Sequence, residues 1–245
     1  MGTGSIYNLI MLKLLIFFTL TIMSSWAFAG QCPSGQYFVS AYSRDFYYRQ
    51  DGTFVKATNV DAHCRTYNFS SPLKLKFEDK MPQGWPYQLD LFKKWTTIEK
   101  RDVKKALDSL PKRLRDLGEI KIYRAVKSSF PNNHASSGPD DSVIVLYNSA
   151  KQFGYKQALA HEMSHILFSK LSADEKEEYY SFSDWKQNRG SFYTKRKAFS
   201  ESDGSLFPEE DFANNVEHVV IKNGSSVNRK ISDYLKSLLG LKNEK

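Results

Sequence analysis

Within the stretch QALAHEMSHILF (residues 157–168), His161, Glu162 and His165 fall in the order H-E-x-x-H. On a helix the two histidines lie one turn apart and about 40° apart around the axis, so both imidazoles reach one point. Glu162 is about 100° from His161 and about 60° from His165. It borders that point without aiming at it, which suits a base acting on a metal-bound water. A cation held by two neutral imidazoles and one carboxylate keeps a fourth position for water and lowers that water's pKa towards about 7. The spacing therefore predicts one Zn2+ per chain, with His161 and His165 as ligands and Glu162 as general base.

The third ligand has to come from elsewhere. Metzincins place a histidine six residues after the second; here that position is Leu171, and Phe168 stands where their glycine would be. At this point the chain resembles the gluzincins, zinc peptidases whose third ligand is a glutamate on a later helix. The run Glu210-Asp211-Phe212-Ala213-Asn214 is similar to the glutamate helix of that clan, above all to the E-x-F-A pattern of anthrax-lethal-factor-like members. The similarity covers roughly residues 97–225.

The resemblance implies a zincin-like catalytic domain and Glu210 as the third ligand, with Glu209 its nearest rival and Glu217 and Asp203 weaker ones. In thermolysin- and lethal-factor-like members, an acid four residues after the ligand accepts a hydrogen bond from a zinc histidine. Asn214 occupies that place here, and an amide oxygen can orient the ring without raising its basicity as a carboxylate would. The resemblance further implies an oxyanion stabiliser, for which Tyr193 and His218 are the candidates. The segment SVIVLY (142–147) would be the cleft's edge strand, to which a polypeptide substrate adds as a further strand. The activity implied is peptide-bond hydrolysis, with Glu162 taking a proton from water and returning it to the leaving amine. Two rival readings are a catalytically silent binding or adhesion module and a zinc amidase acting on cell-wall peptides.

The elements that must position these residues follow from periodicity. Ile98, Val103, Ala106, Leu107 and Leu110 recur at helical spacing; Pro111 opens a short helix and Gly118 ends it. EIKIYRAV and SVIVLY read as strands separated by a polar loop. Ser172 and Glu175 fit a capping box. After a long loop, Pro208 opens the glutamate helix, and an amphipathic helix carrying Ile231, Tyr234, Leu235, Leu238 and Leu239 closes the chain. The fold class is α+β.

Residues 1–29 differ from the rest. Lys13, an apolar run and Ala27-Phe28-Ala29 form a signal-peptide pattern too short to span a bilayer, so the mature protein is expected to be secreted or periplasmic without a transmembrane anchor. Cys32 and Cys64, the only cysteines, are then expected to form one disulfide, contributing on the order of 3–4 kcal/mol. They bracket a β-rich stretch with Asp51-Gly52 as a hairpin signal, read as a small module over residues 30–66. A connector over 67–96, built around a short LKLKF strand, would lead to the catalytic domain, 97–245. The net charge is +8, and basic residues crowd the 93–115 segment. A solvated helix face or attraction to anionic envelope surfaces accounts for them; no nucleic-acid-binding motif is present.

Overall fold

The computed structural model describes residues 32–44, 46–48, 53–67, 71–82, 92–138, 142–188 and 191–241. The signal segment and the Asp51-Gly52 turn lie outside these residues. Among them no helix is long and apolar enough to cross a membrane. Cys32 and Cys64 are disulfide-bonded.

Six short strands come first: β1 (Gln36–Val39), β2 (Tyr42–Arg44), β3 (Tyr47–Tyr48), β4 (Phe54–Val55), β5 (Thr58–Val60) and β6 (His63–Thr66). They pair in nested antiparallel fashion, β1 with β6, β2 with β5 and β3 with β4. The stretch read as a small β module also packs on the rest of the chain. Tyr37 and Val39 belong to the main hydrophobic core, and the Tyr37 hydroxyl donates to the buried Glu178 carboxylate at 3.2 Å.

A four-stranded sheet forms the centre. Its order is β7 (Ser71–Glu78), β8 (Leu117–Ala125), β10 (Val143–Tyr147) and β9 (Ala135–Ser137). β7 and β10 flank β8 in parallel, and β9 is antiparallel to β10. The LKLKF strand expected within the connector forms over Ser71–Glu78 and joins this sheet. One expectation is corrected by the strand order. The SVIVLY strand is internal, paired on both sides and buried along all five residues; the edge is β9, inside what reads as a polar loop. Its sequence Ala-Ser-Ser has too little β character to announce a strand. Gly118, expected to end a helix, lies instead near the start of β8 with φ of 86°. The β7–β8 register slips at that point, and only glycine takes that backbone conformation without a Cβ penalty.

Helices pack against the sheet and one another. α1 (Thr97–Asp108) opens with a reciprocal Thr96–Glu99 capping box and buries Val103 and Leu107, whereas Ile98 is exposed, contrary to the periodic reading. Around α1 and α2 (Lys112–Arg115), three of the basic residues of the 93–115 segment meet acids: Arg101 meets Asp102, Lys104 meets Asp108, and Lys112 meets Asp116. Arg113 is buried over the Tyr67 ring. After the single turn α3 (Ala150–Phe153), α4 (Tyr155–Lys170) carries the H-E-x-x-H residues. It is apolar around most of its circumference and buries ten of its sixteen residues, the mark of a central helix.

α5 (Ala173–Ser183) starts at the expected Ser172–Glu175 capping box. The following loop contains an unforeseen hairpin, β11 (Trp185–Asn188) with β12 (Ser191–Thr194). A 3-10 turn (Asp203–Ser205) leads into α6 (Pro208–Lys222), which has Pro208 in its first turn as expected. α7 (Arg229–Leu239) ends the described chain with a strongly one-sided apolar face. The fold is α+β, with seven helices among the described residues.

Candidate metal centre

α4 and α6 pack along each other and bring together the side chains of His161, His165 and Glu210. The two imidazole Nε2 atoms are 3.1 Å apart. Glu210 Oε2 lies 3.4 Å from His165 Nε2 and 3.7 Å from His161 Nε2. A tetrahedral zinc ion with bonds of about 2.0–2.1 Å would separate its ligand atoms by about 3.3–3.4 Å. The three atoms thus already stand near the corners of such a polyhedron. Two nitrogens and one carboxylate oxygen are also the donor set of open, water-bearing zinc sites.

The outward nitrogens of both rings are occupied. His161 Nδ1 is 3.3 Å from Glu217 Oε2, and Gln157 in turn donates to the other Glu217 oxygen at 2.7 Å. His165 Nδ1 is 3.3 Å from Glu209 Oε1. A carboxylate at Nδ1 holds the proton there and leaves the Nε2 lone pair facing inward. Glu209, named beside Glu210 as a rival, stands at Nδ1 of His165 and outside the group of three clustered donor atoms. The acid at His161 Nδ1 is Glu217, and the contact of Asn214 is elsewhere. Its amide donates to Asp203 at 2.7 Å, and it packs against Gly204, where a Cβ would come within 3.3 Å of both Asn214 Nδ2 and the Asp211 Cα. Glu217 is seven residues, or two turns, beyond Glu210 and so shares its face.

The electrostatics fit a cation site. Burial opposes protonation of His161, but the carboxylates of Glu210 and Glu217 outweigh it and lift the ring to about 10. His165 rises to about 9 in the same way, against burial, through Glu209 and Glu210. Burial pushes Glu210 up, yet the two imidazoles more than reverse this and hold it well below the usual carboxylate range. Burial pushes Glu217 up as well, but hydrogen bonds from His161 and Gln157 outweigh it and lower this carboxyl. The pocket concentrates negative potential, and the charge of Glu162 adds to it at both rings. Glu162 itself is 6% exposed and, among the described residues, has no hydrogen bond, so its carboxylate is not committed elsewhere.

Comparison with known protein families, with curated proteins and with solved structures finds no match to this chain.

The two oxyanion candidates are not brought to the triad. His218 is buried, with Nε2 at 2.7 Å from Glu201 and Nδ1 against Ser226, which fixes the loop before α6 to the turn after it. Tyr193 projects from β12 into a separate cleft and makes no hydrogen bond to His161, His165 or Glu210. A residue that sequence reasoning missed is Asp211, next to Glu210 and fully buried. It accepts from Tyr179 at 2.7 Å, from Trp185 at 3.0 Å and from Asn215 at 2.9 Å, and it pairs with Arg196. Asp211 thereby ties α5, the β11–β12 hairpin and the following loop to the helix bearing Glu210. No local pattern marks it, since its partners come from four places in the chain.

Proposed function

We propose that the chain is an exported zinc-dependent endopeptidase of the gluzincin type. One observation carries the reading: three donor atoms from two helices stand at the mutual spacing of a tetrahedral zinc site, each imidazole is backed by a carboxylate, and a further uncommitted glutamate adjoins them. When bound, zinc supplies Lewis acidity towards a water molecule and a scissile carbonyl. Glu162 is suited to accept the proton on its carboxylate and pass it to the departing amine nitrogen. Glu217 and Glu209 keep the proton of each ring on Nδ1 and so keep the ligand tautomer fixed.

β9 lies against α4, and among the described residues its outer side carries no paired strand. It is the element along which an extended substrate backbone would add, in place of the 142–147 strand. The disulfide and the signal-type leader support export.

The test is hydrolysis of casein by purified protein, with and without a chelator, alongside Glu162→Gln and metal analysis. One zinc per chain, chelator-sensitive cleavage and an inactive but zinc-loaded Glu162→Gln protein are expected. A zinc-loaded wild-type protein that leaves casein intact yet releases cell-wall peptides would favour an amidase. One that does neither would leave a binding module.

A further inference from the structure

The helix that carries Glu210 begins against the usual rule. α1, α5 and α7 each open on a side chain that accepts from one of the helix's own amides, namely Thr96, Ser172 and Asn228. The capping position of α6 is Phe207, which has no acceptor to offer, although Ser, Thr, Asp and Asn stabilise that position and large apolar residues do not. Nor does the core take up the ring. Phe207 is 61% and Leu206 62% exposed, the only consecutive pair of exposed large apolar side chains among the described residues. Two local rules are broken at one place without a gain in packing, and such places are where a functional constraint is to be sought.

The turn presenting this pair is fixed to α6. Asn214 donates to the Asp203 carboxylate at 2.7 Å, and the Leu206 N–H donates to the Asp203 carbonyl at 2.9 Å. Gly204 is buried close against Asp211 and Asn214. The Asp211 N–H donates to the Phe207 carbonyl at 3.1 Å, which keeps Phe207 on the first turn of the helix.

Its position relative to the metal centre follows from helix geometry. Phe207 is three residues before Glu210, a spacing at which Cβ atoms lie about 5–6 Å apart. The Glu210 carboxylate reaches both imidazoles. The pair is therefore one helical turn and one glutamate side chain away from the three donor atoms. An extended chain rises about 3.3 Å per residue, so residues within about three of a bond held at the metal run past this turn.

We propose, resting on the peptidase reading, that Leu206 and Phe207 form the subsite that receives an apolar side chain, aromatic or long aliphatic, of the polypeptide held at the metal centre. Contact removes apolar surface of both partners from water. A lipid surface is the other occupant such a pair could take, and the local charge opposes it. Residues 201–210 carry Glu201, Asp203, Glu209 and Glu210 and no lysine or arginine, the reverse of the basic flank with which apolar side chains enter an anionic bilayer interface.

Binding is measured by fluorescence anisotropy on the Glu162→Gln protein, which cannot consume its ligand. The probes are a labelled Ser/Ala decapeptide bearing three phenylalanines and its counterpart with serine in their place. The phenylalanine peptide is expected to bind at least about tenfold tighter, and Leu206→Ser/Phe207→Ser is expected to remove most of that margin with zinc content unchanged. Phe207→Ser alone separates this role from a structural one, because serine gives α6 the cap it lacks. It is expected to weaken the phenylalanine peptide about fivefold while Tm stays the same or rises. Equal binding of the two peptides, binding of neither, or affinities unmoved by these substitutions would overturn the proposal. So would phosphatidylglycerol vesicles that the wild-type protein binds and the double variant does not. Wild-type protein that binds the phenylalanine peptide through Phe207 but cleaves no polypeptide would overturn the peptidase reading alone. Chelator-sensitive cleavage of casein with no preference between the two peptides would overturn the subsite alone.

Discussion

Glu210 and Asp211 are consecutive carboxylates on α6, and the fold treats them in opposite ways. The Glu210 side chain is 36% exposed and faces two imidazole nitrogens. Asp211 is fully buried and surrounded by the hydroxyl of Tyr179, the indole of Trp185, the amide of Asn215 and the guanidinium of Arg196. A carboxylate offers about four lone-pair sites, and Asp211 has four fixed donors, two on each oxygen. It has nothing left to give a ligand. Glu210 faces groups that are themselves Lewis bases, so a cation can replace the protons shared among them. The same functional group is a structural anchor, or stays open to a cation, according to whether its neighbours are permanent donors or exchangeable ones.

Breaking the ligand side should have the largest effect. Glu162→Gln is expected to lower peptide hydrolysis by about 10²–10⁴-fold while keeping the zinc, read by turnover and by metal content. His161→Ala or Glu210→Ala is expected to lose stoichiometric zinc with the far-UV circular dichroism unchanged.

Breaking the anchor side should act on stability instead. Asp211→Asn leaves the Arg196 guanidinium largely buried without its counter-charge and is expected to cost about 3–5 kcal/mol. That corresponds to a fall of roughly 10 °C or more in Tm by calorimetry, and the folded fraction should still bind zinc. If Asp211→Asn removed zinc without lowering Tm, the distinction between the two carboxylates would fail.

Smaller changes sharpen the contrast. Glu217→Gln and Glu209→Gln, each keeping shape but removing the charge behind one imidazole, are expected to weaken zinc about 10–100-fold in competition with a chromophoric chelator. Asn214→Asp, which meets Asp203 rather than a ring, should not strengthen zinc binding. Least affected is His218→Gln, for which a loss of about 1 kcal/mol of stability is expected, with activity unchanged within assay error.

The parts of the site that were legible share one property: they are local. His161, Glu162 and His165 sit within a single turn and a half, and helical spacing alone aims both rings at one place. The Ser172–Glu175 capping box and Pro208 at the start of α6 are equally short-range. Glu210 was reached through a four-residue pattern, and the structure puts it beside both rings. Asn214 was assigned its role by counting four residues on, but the residue two turns on has the longer side chain and the better angle. The edge strand was misplaced because Ala135, Ser136 and Ser137 owe their extended conformation to pairing with β10, not to their own preferences. The β11–β12 hairpin and the joining of the N-terminal strands to the main core were hidden for the same reason.

The amino-acid order alone determined a helix with two imidazoles in line and a glutamate beside them, a second helix rich in acids, and two cysteines that pair. Only the packing of α4 against α6 decided which acid meets which nitrogen. Glu209, Glu210, Asp211 and Glu217 are chemically alike in the chain. What separates them is direction around one helix axis and the burial each direction brings, and these are properties of the folded contact rather than of any residue.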